Sequence, residues 1–378
     1  MAFFYGLLSM TYRTADDVLR KRLCWACAIV FVLFFGLRGF VGTDWTHYYP
    51  EFDKVYIGGI RELLFSIERS EFEPGFVVLM ALSKRIADSY VFFTLLCSII
   101  NVVLLFRFLN KYTDNLPLAL MFFMAMSGIG LEINVMRNSI SLLIFLNTLQ
   151  YIEQRRFVPY LCWNLFAMLF HVSSIIYIPL YFLLHRQINK WIFLSIVLLG
   201  NVVLILKIHL LAPIMLAVAS RMGEVYVKMV EVYTEGEATS DMMGISIGLL
   251  ERLFTSGLIF CYYDKLKGLR KENVIFINSM LLYMFMFFFF SEFEVVCRRL
   301  ALMFVFAYWI LWGDLLKCFN YRGNKMLFVL FLLCYSVLKI KGMVGDIIYQ
   351  YDNVLLGAKS YQERLYIYQK NDPDQVDK

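Results

Sequence analysis

The run SYVFFTLLCSIINVVLLFRFL, from Ser89 to Leu109, decides the fold class. It is predominantly apolar over the roughly 20 residues that an α-helix needs to cross a lipid bilayer. The rest of the chain has the same character, since 60% of its 378 residues are hydrophobic and only 17% are charged. That is far more apolar surface than one water-soluble core can bury. We therefore predict an all-α, polytopic integral membrane protein that forms a single domain over residues 1–378.

Similar apolar runs set the number of crossings. Allowing short pieces where a helix breaks inside the protein, we expect about eleven transmembrane helices, between about 10 and 12. Gly75 to Ala87 is better interpreted as a re-entrant or surface helix, because Lys84 and Arg85 break its apolar start. Besides Ser89 to Leu109, the expected spans are Leu23 to Leu37, Leu116 to Gly130, Val135 to Ile152, Val158 to Phe170, Ser173 to Leu184, Trp191 to Ile208, Met243 to Tyr263, Val274 to Phe290, Leu300 to Leu315 and Met326 to Ile340.

Clusters of lysine and arginine give the orientation. If the spans alternate, all these clusters fall on one side, which the positive-inside rule identifies as cytoplasmic. The clusters are Arg13 to Arg22, Arg107 to Lys111, Arg155 with Arg156, Arg186 to Lys190, Lys265 to Lys271 and Lys317 to Lys325. The outer face then receives the loops 38–74 and 210–242, the tail 341–378, and the turns Leu131 to Arg137 and Ser291 to Arg299.

Both outer loops have amphipathic patterns. Between Tyr48 and Arg69 the apolar residues recur among charges, which predicts a helix lying on the membrane surface. In the loop 210–242 a helical spacing occurs at Val218, Met222, Val225, Met229 and Val232. This second helix fits a lid over a site and fits a plain surface cap equally well.

Several classes of function have no support in the sequence. No GxGxxG, P-loop, GxSxG or HExxH motif occurs, so nucleotide, serine-hydrolase and zinc chemistry are not expected. None of the eight cysteines pairs with a histidine at a metal-ligand spacing, and the CxxC of Cys24 and Cys27 indicates helix packing. The net charge of +6 comes from the cytoplasmic clusters rather than from a nucleic-acid surface. We expect no cofactor, no metal and no nucleic-acid partner.

Arginines near the outer ends of the spans carry the functional argument. Burying a charge near the bilayer centre costs about 2.5 to 3.5 kcal/mol on insertion scales, so each needs a partner or an aqueous cavity. A planar guanidinium suits bidentate binding of pyrophosphate, and several together stabilise the charge on a departing diphosphate. For any single arginine, a snorkelling anchor or a helix cap is the structural alternative. The predicted diphosphate-binding residues are Arg38, Arg137, Arg298 and Arg299.

A proton acceptor is the second requirement of such a site. A carboxylate near the arginines could take the proton from an attacking sugar hydroxyl. Asp44 is the first candidate, with Glu73 and Glu132 as alternatives. His171, at a break in an apolar run, competes for this role because imidazole exchanges protons near neutral pH. The structural alternative is that His171 only forms hydrogen bonds at the break.

The predicted site residues lie in four sequence blocks, each with two or three polar residues in an apolar frame. The blocks are FGLRGFVGTDWTHYYPEF at Phe35 to Phe52, FEPGF at Phe72 to Phe76, Ile133 to Leu180 with INVMRNSIS and MLFHVSS, and CRRLALMF at Cys297 to Phe304. In this order and spacing they resemble the EpsG-type branch of the Wzy-like polysaccharide polymerases. The short apolar start at Met1 to Met10, the loop 210–242 and the tail depart from the family pattern.

The resemblance implies an inverting membrane glycosyltransferase that uses no nucleotide sugar. Such an enzyme would polymerise undecaprenyl-diphosphate-linked oligosaccharide repeat units into O antigen or a related surface polysaccharide, and release undecaprenyl diphosphate. The arginines would bind the leaving diphosphate, and an acid or the histidine would act on the attacking hydroxyl. Trp45, Tyr48 and Tyr49 would stack on sugar faces, although an aromatic belt at the membrane interface explains them equally well.

The same resemblance implies a location and partners. We expect a multi-pass protein of the bacterial inner membrane whose active site faces the periplasm or the cell exterior. The expected partners are undecaprenyl-diphosphate-linked glycans, membrane lipids and a chain-length regulator. A lipid-linked-oligosaccharide flippase or other transporter, another GT-C-like lipid-linked glycosyltransferase and an O-antigen ligase stay open as alternatives. Many transporters have two related halves, and no such repeat is present in this sequence.

Overall fold

The computed structural model describes residues 1–56, 58–224, 227–228, 246–345 and 347–371. Every regular element in these ranges is helical, and their only β-type pairing is an isolated antiparallel bridge between Arg38 and Asn353. The all-α prediction is confirmed for this part of the chain. Contacts within the chain define two compact units, which we call the first unit (Met1–Tyr181 with Gly323–Lys378) and the second unit (Phe182–Arg322).

Twenty α-helices are described. In chain order they are α1 (Ala2–Tyr12), α2 (Asp17–Gly36), α3 (Trp45–Lys54), α4 (Ile60–Arg69), α5 (Pro74–Ile86), α6 (Tyr90–Tyr112), α7 (Leu116–Phe123), α8 (Ile129–Ile133), α9 (Met136–Glu153), α10 (Phe157–Met168), α11 (Tyr177–Leu183), α12 (Lys190–Ile205), α13 (Leu211–Met222), α14 (Ile247–Cys261), α15 (Tyr263–Leu269), α16 (Asn273–Phe289), α17 (Glu294–Leu302), α18 (Phe306–Cys318), α19 (Arg322–Val344) and α20 (Tyr361–Asn371). Short 3₁₀ turns occur at Val172–Ile176, Ile347–Tyr349 and Val354–Leu356, and a wide turn at Met124–Gly128 joins α7 to α8.

Apolar helices of membrane-spanning length are present. Three segments of the described chain are long and apolar enough to cross a bilayer: Tyr90–Tyr112, Leu116–Ile133 and Arg322–Gly342. A bent pair, Val296–Leu302 with Phe306–Cys318, qualifies as a fourth if it counts as one span. Shorter apolar helices are Phe157–Met168, Val172–Leu183, Lys190–Ile205, Leu211–Met222 and Asn273–Phe289. These helices fit a membrane protein, and the count of about eleven crossings stays a prediction.

The expected span Leu300 to Leu315 is not one straight helix. The chain bends by 56° between α17 and α18. At the bend the N–H groups of Met303, Phe304 and Val305 each bond to the carbonyl three residues earlier, which tightens the helix and turns it. All three side chains are buried, so hydrophobicity stays high through the bend and gives no sign of it.

The surface helix expected between Tyr48 and Arg69 is two helices rather than one. α3 ends at Lys54, after which Val55 is extended, and α4 begins after Gly59. The glycine pair at Gly58 and Gly59 accounts for the interruption, because glycine loses the most backbone freedom in a helix. The hydrophobic residues Ile60, Leu64 and Phe65 of α4 are exposed, as an interfacial helix requires.

The predicted re-entrant or surface helix at Gly75 to Ala87 is α5, and its lysine has a structural partner. Lys84 is buried, and its Nζ donates to the carbonyl oxygens of Phe52 at 3.2 Å and Asp53 at 2.7 Å. These carbonyls lie at the C-terminal end of α3, where a cation is favourable. Lys84 therefore ties α5 to α3 across the loop 38–74.

Within the loop 210–242, only the first part of the predicted amphipathic pattern lies in the described residues. α13 carries Val218 and Met222, whereas Val225, Met229 and Val232 lie outside the described ranges. Glu292 accepts hydrogen bonds from the N–H groups of Leu211 and Ala212 and so caps α13. A lid formed by the loop 210–242 therefore stays a prediction.

α9 is the central helix of the first unit. It packs against α6 and α10, and its buried residues occur around its whole circumference. A helix that is apolar on every side belongs in the interior of a large protein or a membrane bundle. The beginning of α9 is consequently held in a fixed place, and the predicted residues of the first unit gather around it.

Candidate functional site

Helix α9 begins without a side-chain cap. The preceding residue is Val135, whose side chain cannot accept a hydrogen bond from the first turn. Met136 and Arg137 are the first two residues of the helix. Because a helix N-terminus presents free N–H groups and a partial positive charge, this end of α9 favours an anion.

Arg38 reaches the same helix end from the segment after α2. Its side chain is 6% exposed, one terminal nitrogen donates to the carbonyl oxygen of Phe35, and Nη2 lies 2.9 Å from the Sδ atom of Met136. Within the described residues, no carboxylate lies at ion-pair distance from this guanidinium. Arg38 is thus a buried, permanent charge whose close partners are neutral.

Glu73 organises the other arginine and the histidine. Its Oε2 accepts from Nη1 of Arg137 at 2.6 Å. Its Oε1 accepts from Nδ1 of His171 at 2.8 Å and from the N–H of Val172 at 3.1 Å. One carboxylate, 15% exposed, therefore holds both partners, and we call Glu73, Arg137 and His171 the glutamate cluster.

A glycine explains why the two chain segments of this cluster meet. The N–H of Gly75 donates to the carbonyl oxygen of Leu169 at 2.8 Å, just after α10 ends. A Cβ atom at Gly75 would lie 2.7 Å from that oxygen, which is closer than side chains tolerate. The glycine of FEPGF therefore lets the start of α5, with Glu73, approach the turn that carries His171.

The carboxylate of Glu73 is held in its ionised form. Burial alone would raise its pKa, but hydrogen bonds from His171 and the N–H of Val172, with the charge of Arg137, lower the pKa to about 2. An ionised carboxylate can only accept hydrogen bonds, so Nδ1 of His171 must carry the hydrogen. In neutral His171 this leaves the lone pair on Nε2, where it can take a proton.

Arg137 lies between this carboxylate and aromatic rings. Its guanidinium carbon lies 4.2 Å from the ring centre of Phe72 and 5.9 Å from that of Tyr48. Its Nε is buried and has no hydrogen-bond partner among the described residues. Arg137 therefore keeps an unused donor while Glu73 and the rings fix its position.

Glu132 lies in a separate polar cluster beneath the helix end. It is 2% exposed and accepts from Nδ2 of Asn101 at 2.9 Å and from the hydroxyl of Ser139 at 3.0 Å. Arg38 acts on Glu132 electrostatically from beyond ion-pair distance. Glu132 thus forms its hydrogen bonds with Asn101 and Ser139 and does not occupy the donors of Arg38.

The family model described as the EpsG family matches residues 21–353 of the chain. The chain belongs to the EpsG family. This confirms the resemblance predicted from the sequence blocks, and the match includes every predicted site residue. EpsG membership, together with the apolar helices, indicates a membrane enzyme of the polysaccharide-polymerase type. No curated protein and no solved structure matches the chain.

Asp44, the first candidate for the base in this EpsG-family protein, is the residue before α3. It is partly buried, and its Oδ1 accepts from the hydroxyl of Thr43 at 3.0 Å. It also acts electrostatically on Tyr48, whose ring centre lies 5.9 Å from the guanidinium carbon of Arg137. Asp44 is therefore close enough to Tyr48 to act on it, and its role as base stays a prediction.

The three aromatic residues predicted to bind glycan are packed against other rings. Trp45 and Tyr48 are 4% and 3% exposed. Tyr49 is partly buried and stacks on Tyr361 with ring centres 4.5 Å apart. Trp45 also meets the edge of Tyr361, which belongs to the tail. Packing accounts for their present positions, and the glycan-binding role stays a prediction.

Arg298 and Arg299 lie in α17 of the second unit. Both are exposed, and they precede the bend between α17 and α18. The structure brings Arg38 and Arg137 together at α9 within the first unit. Whether Arg298 and Arg299 share that site with them stays a prediction.

The second unit contains a buried polar group that was not among the predicted site residues. Glu251 and Arg252 lie in α14, are 2% and 8% exposed, and belong to the second unit. Glu251 accepts from the hydroxyl of Thr255 at 2.7 Å, and the guanidinium carbon of Arg252 lies 3.3 Å from the ring centre of Phe287. The signal was available, because an acid and a base inside the apolar run IGLLERLFTSGLIFC need partners. No set of three metal-binding side chains occurs in the described ranges.

Proposed function

We propose that this EpsG-family protein is an inverting glycosyltransferase that polymerises undecaprenyl-diphosphate-linked oligosaccharide repeat units into O antigen or a related surface polysaccharide. One observation carries the proposal: Arg38 contacts Met136, the first residue of α9, and Arg137 is the second residue of this helix, whose first turn has no side-chain cap. Two guanidiniums and a helix N-terminus together are suited to bind a diphosphate. They would also stabilise it as a leaving group.

The two arginines have complementary parts in this proposal. Among the described residues, the donors of Arg38 have a carbonyl and a thioether as hydrogen-bond partners. These are weak partners for a full charge, so a phosphate oxygen would be a better acceptor. Arg137 is held by Glu73, and its buried Nε has no hydrogen-bond partner in the described part of the chain. Arg38 would therefore bind the diphosphate most directly, and Arg137 would add charge from a fixed position.

The glutamate cluster supplies the proton acceptor. Glu73 fixes the ring of His171 through Nδ1 and leaves Nε2 available, as carboxylate–histidine pairs do in other acyl- and group-transfer enzymes. His171 is 26% exposed, so a substrate hydroxyl can reach it. We assign the role of general base to His171. Asp44 is the alternative, and variants at the two positions distinguish these two assignments.

The reaction then balances as one displacement. The oxygen of an acceptor hydroxyl forms a bond to the anomeric carbon of the donor sugar, while the bond from that carbon to the diphosphate oxygen breaks. The hydroxyl proton passes to Nε2 of His171, and undecaprenyl diphosphate leaves with the bonding electrons beside Arg38. A single displacement from the opposite face inverts the anomeric centre.

The charge pattern supports an active site on the outer face of the inner membrane. The lysine and arginine clusters between the apolar helices mark the cytoplasmic side, and the site loops alternate with them. Growing glycan and lipid-linked repeat unit would both arrive from the outer leaflet. The expected partners are these lipid-linked glycans, membrane lipids and a chain-length regulator.

Reconstitution in liposomes tests the proposed function. The purified protein is given a lipid-diphosphate-linked repeat unit, and both the glycan ladder and released lipid diphosphate are measured. We expect one lipid diphosphate released per unit added. Arg38→Lys should be at least about tenfold slower because an ammonium lacks the guanidinium fork. Arg61→Lys, an exposed arginine of α4, is the matched control and should retain the wild-type rate.

Other results would select a different function. Movement of the lipid-linked unit across the bilayer without a ladder would identify a flippase. Transfer of finished polymer to another outer acceptor would identify a ligase. Arg298→Ala and Arg299→Ala in the same assay ask whether the second unit contributes to the diphosphate site, since each should then lose activity as Arg38→Lys does.

A further inference from the structure

The tail segment, which we define as residues 347–371, pairs with the loop that follows Arg38. The N–H of Gly39 donates to the carbonyl of Asp352 at 3.1 Å, and the N–H of Val354 donates to the carbonyl of Leu37 at 2.9 Å. The N–H of Gly42 donates to the carbonyl of Ile348 at 3.1 Å. The loop from Leu37 to Gly42 therefore uses the tail segment as its hydrogen-bond partner.

Side chains strengthen this attachment on both flanks. Tyr351 stacks on Phe34 with ring centres 4.3 Å apart, and its hydroxyl donates to the carbonyl of that residue at 2.8 Å. Asn353 donates to the carbonyl of Leu33 at 3.0 Å. Within the tail segment, buried Arg364 pairs with Asp352 at 2.8 Å. The tail segment is thus a packed part of the first unit.

One hydrogen-bond chain runs from the tail segment to the residue before Asp44. Nδ2 of Asn134 donates to the hydroxyl of Tyr349 at 2.6 Å. Oδ1 of the same asparagine accepts from the N–H of Thr43 at 3.1 Å. Asn134 lies in the turn between Glu132 and α9. Both ends of this side chain are therefore engaged, one with the tail segment and one with the site loop.

A glycine keeps the asparagine against the loop. Gly42 has a φ of +85°, a conformation that L side chains rarely adopt. A Cβ atom at Gly42 would lie 2.1 Å from Oδ1 of Asn134, so only glycine permits this approach. The amide of Asn134 is fixed between Gly42, Thr43 and Tyr349. A small movement of Tyr349 therefore displaces Asn134 and the loop bonded to it.

We propose that Tyr349 is a positioning residue for the active site, acting through Asn134 on the loop that carries Thr43 and Asp44. It touches no substrate, and its role in chain growth rests on the proposed function. Without its hydroxyl, Asn134 loses one of two anchors, so the loop beside Arg38 is held less firmly. A misplaced catalytic group lowers the rate even where the fold is retained.

A double-mutant cycle tests this coupling in the full-length protein. Tyr349→Phe and Asn134→Ala are compared singly and together for chain growth in liposomes. Loss of one net hydrogen bond predicts a fall of about three- to tenfold for Tyr349→Phe. If Tyr349 acts through Asn134, the double variant should be no slower than Asn134→Ala alone. Additive losses, or a wild-type rate for Tyr349→Phe, would overturn the proposal.

Hydrogen exchange of the loop gives a second measurement that needs no enzymatic activity. The peptide containing the N–H of Thr43 should exchange about three- to tenfold faster in Tyr349→Phe than in the wild type. Tyr366→Phe, an exposed tyrosine of α20, is the matched control and should change neither exchange nor rate. Unchanged exchange at Thr43 in Tyr349→Phe refutes the positioning role. If the wild-type protein exchanges as expected but forms no polymer, the proposed function fails and the positioning inference stands on exchange alone.

Discussion

Arg38 and Arg137 approach the same end of α9, but the protein treats their charges in opposite ways. Arg137 is paired with Glu73 at 2.6 Å and lies over the ring of Phe72. Arg38 is more deeply buried and has a carbonyl oxygen and a thioether as its close partners. A protein gains stability from a paired guanidinium and loses it by burying one with neutral partners. This difference supports the proposal that Arg137 is fixed within the glutamate cluster, whereas Arg38 keeps its charge for the diphosphate.

The largest expected effect is that of changing His171, the proposed general base of the glutamate cluster. His171→Asn keeps a donor that can reach Glu73 but removes the nitrogen that takes the proton. Chain growth should fall by about a hundredfold or more, as the loss of a general base does. The measurement is the initial rate of lipid diphosphate release at saturating substrate. His47→Asn, an exposed histidine of α3, is the control and should behave as the wild type.

A comparison of Asp44→Asn with His171→Asn tests whether His171 or Asp44 is the general base. Asp44→Asn should bind lipid-linked donor normally and lose less activity than His171→Asn. If Asp44→Asn shows the larger loss at unchanged donor binding, then Asp44 is the base. In that case His171 would only form hydrogen bonds at the helix break.

The second prediction tests the contrast between the arginines directly. Arg38→Met and Arg137→Met should both slow chain growth, by about a hundredfold for Arg38. They should differ in stability: Arg137→Met leaves Glu73 without its ion-pair partner and should cost about 1–3 kcal/mol. Arg38→Met should unfold at the wild-type temperature or above, because a buried charge with neutral partners is removed. Thermal unfolding of both variants in the same detergent gives the answer.

An equal loss of stability in the two variants would contradict the proposed difference between Arg38 and Arg137. It would mean that Arg38 contributes to folding as Arg137 does and is not reserved for a ligand. The diphosphate site would then have to be located elsewhere on the protein.

The smallest expected effect concerns Glu73 and pH. Its folded pKa of about 2 lies below the ordinary value of 4.5, so the ionised form stabilises the fold. That contribution is present above about pH 4.5 and is lost as the pH falls toward 2, and it amounts to about 2–3 kcal/mol. Unfolding free energy of the wild type should therefore fall over this range. Glu73→Gln should be less stable at neutral pH and show a flatter profile, and a profile parallel to the wild type would contradict the assignment.

Much of the helical framework follows from the sequence because continuous apolar runs have one interpretation. The span expected from Ser89 to Leu109 is α6, Tyr90–Tyr112, and that expected from Val135 to Ile152 is α9, Met136–Glu153. The bend after Leu302 could not be predicted this way, since the residues on both sides and within it are apolar. Hydrophobicity reports burial, and burial does not change where a buried helix turns.

The residue types of the site were predictable, but their pairing was not. Arg38, Arg137 and His171 attract attention because ionisable groups are costly in an apolar frame. Glu73 and His171 are 98 residues apart, and no local pattern indicates that they share a hydrogen bond. The same holds for Asn134 and Tyr349, separated by 215 residues. Such contacts depend on tertiary packing around α9.

The long separation between the loop and the tail segment also sets the timing of assembly during biosynthesis. Tyr351 bonds to Phe34, which the ribosome made 317 residues earlier. At a synthesis rate of about 5 to 20 residues per second, roughly 15 to 60 seconds pass after Arg38 is made before its loop can take its final form. Helices α2, α6 and α9 can insert and pack in that interval, whereas the loop beside them remains unpaired. The proposed site is therefore completed only after the tail segment has been made, so a nascent chain that has not yet reached Val354 lacks the partners of this loop.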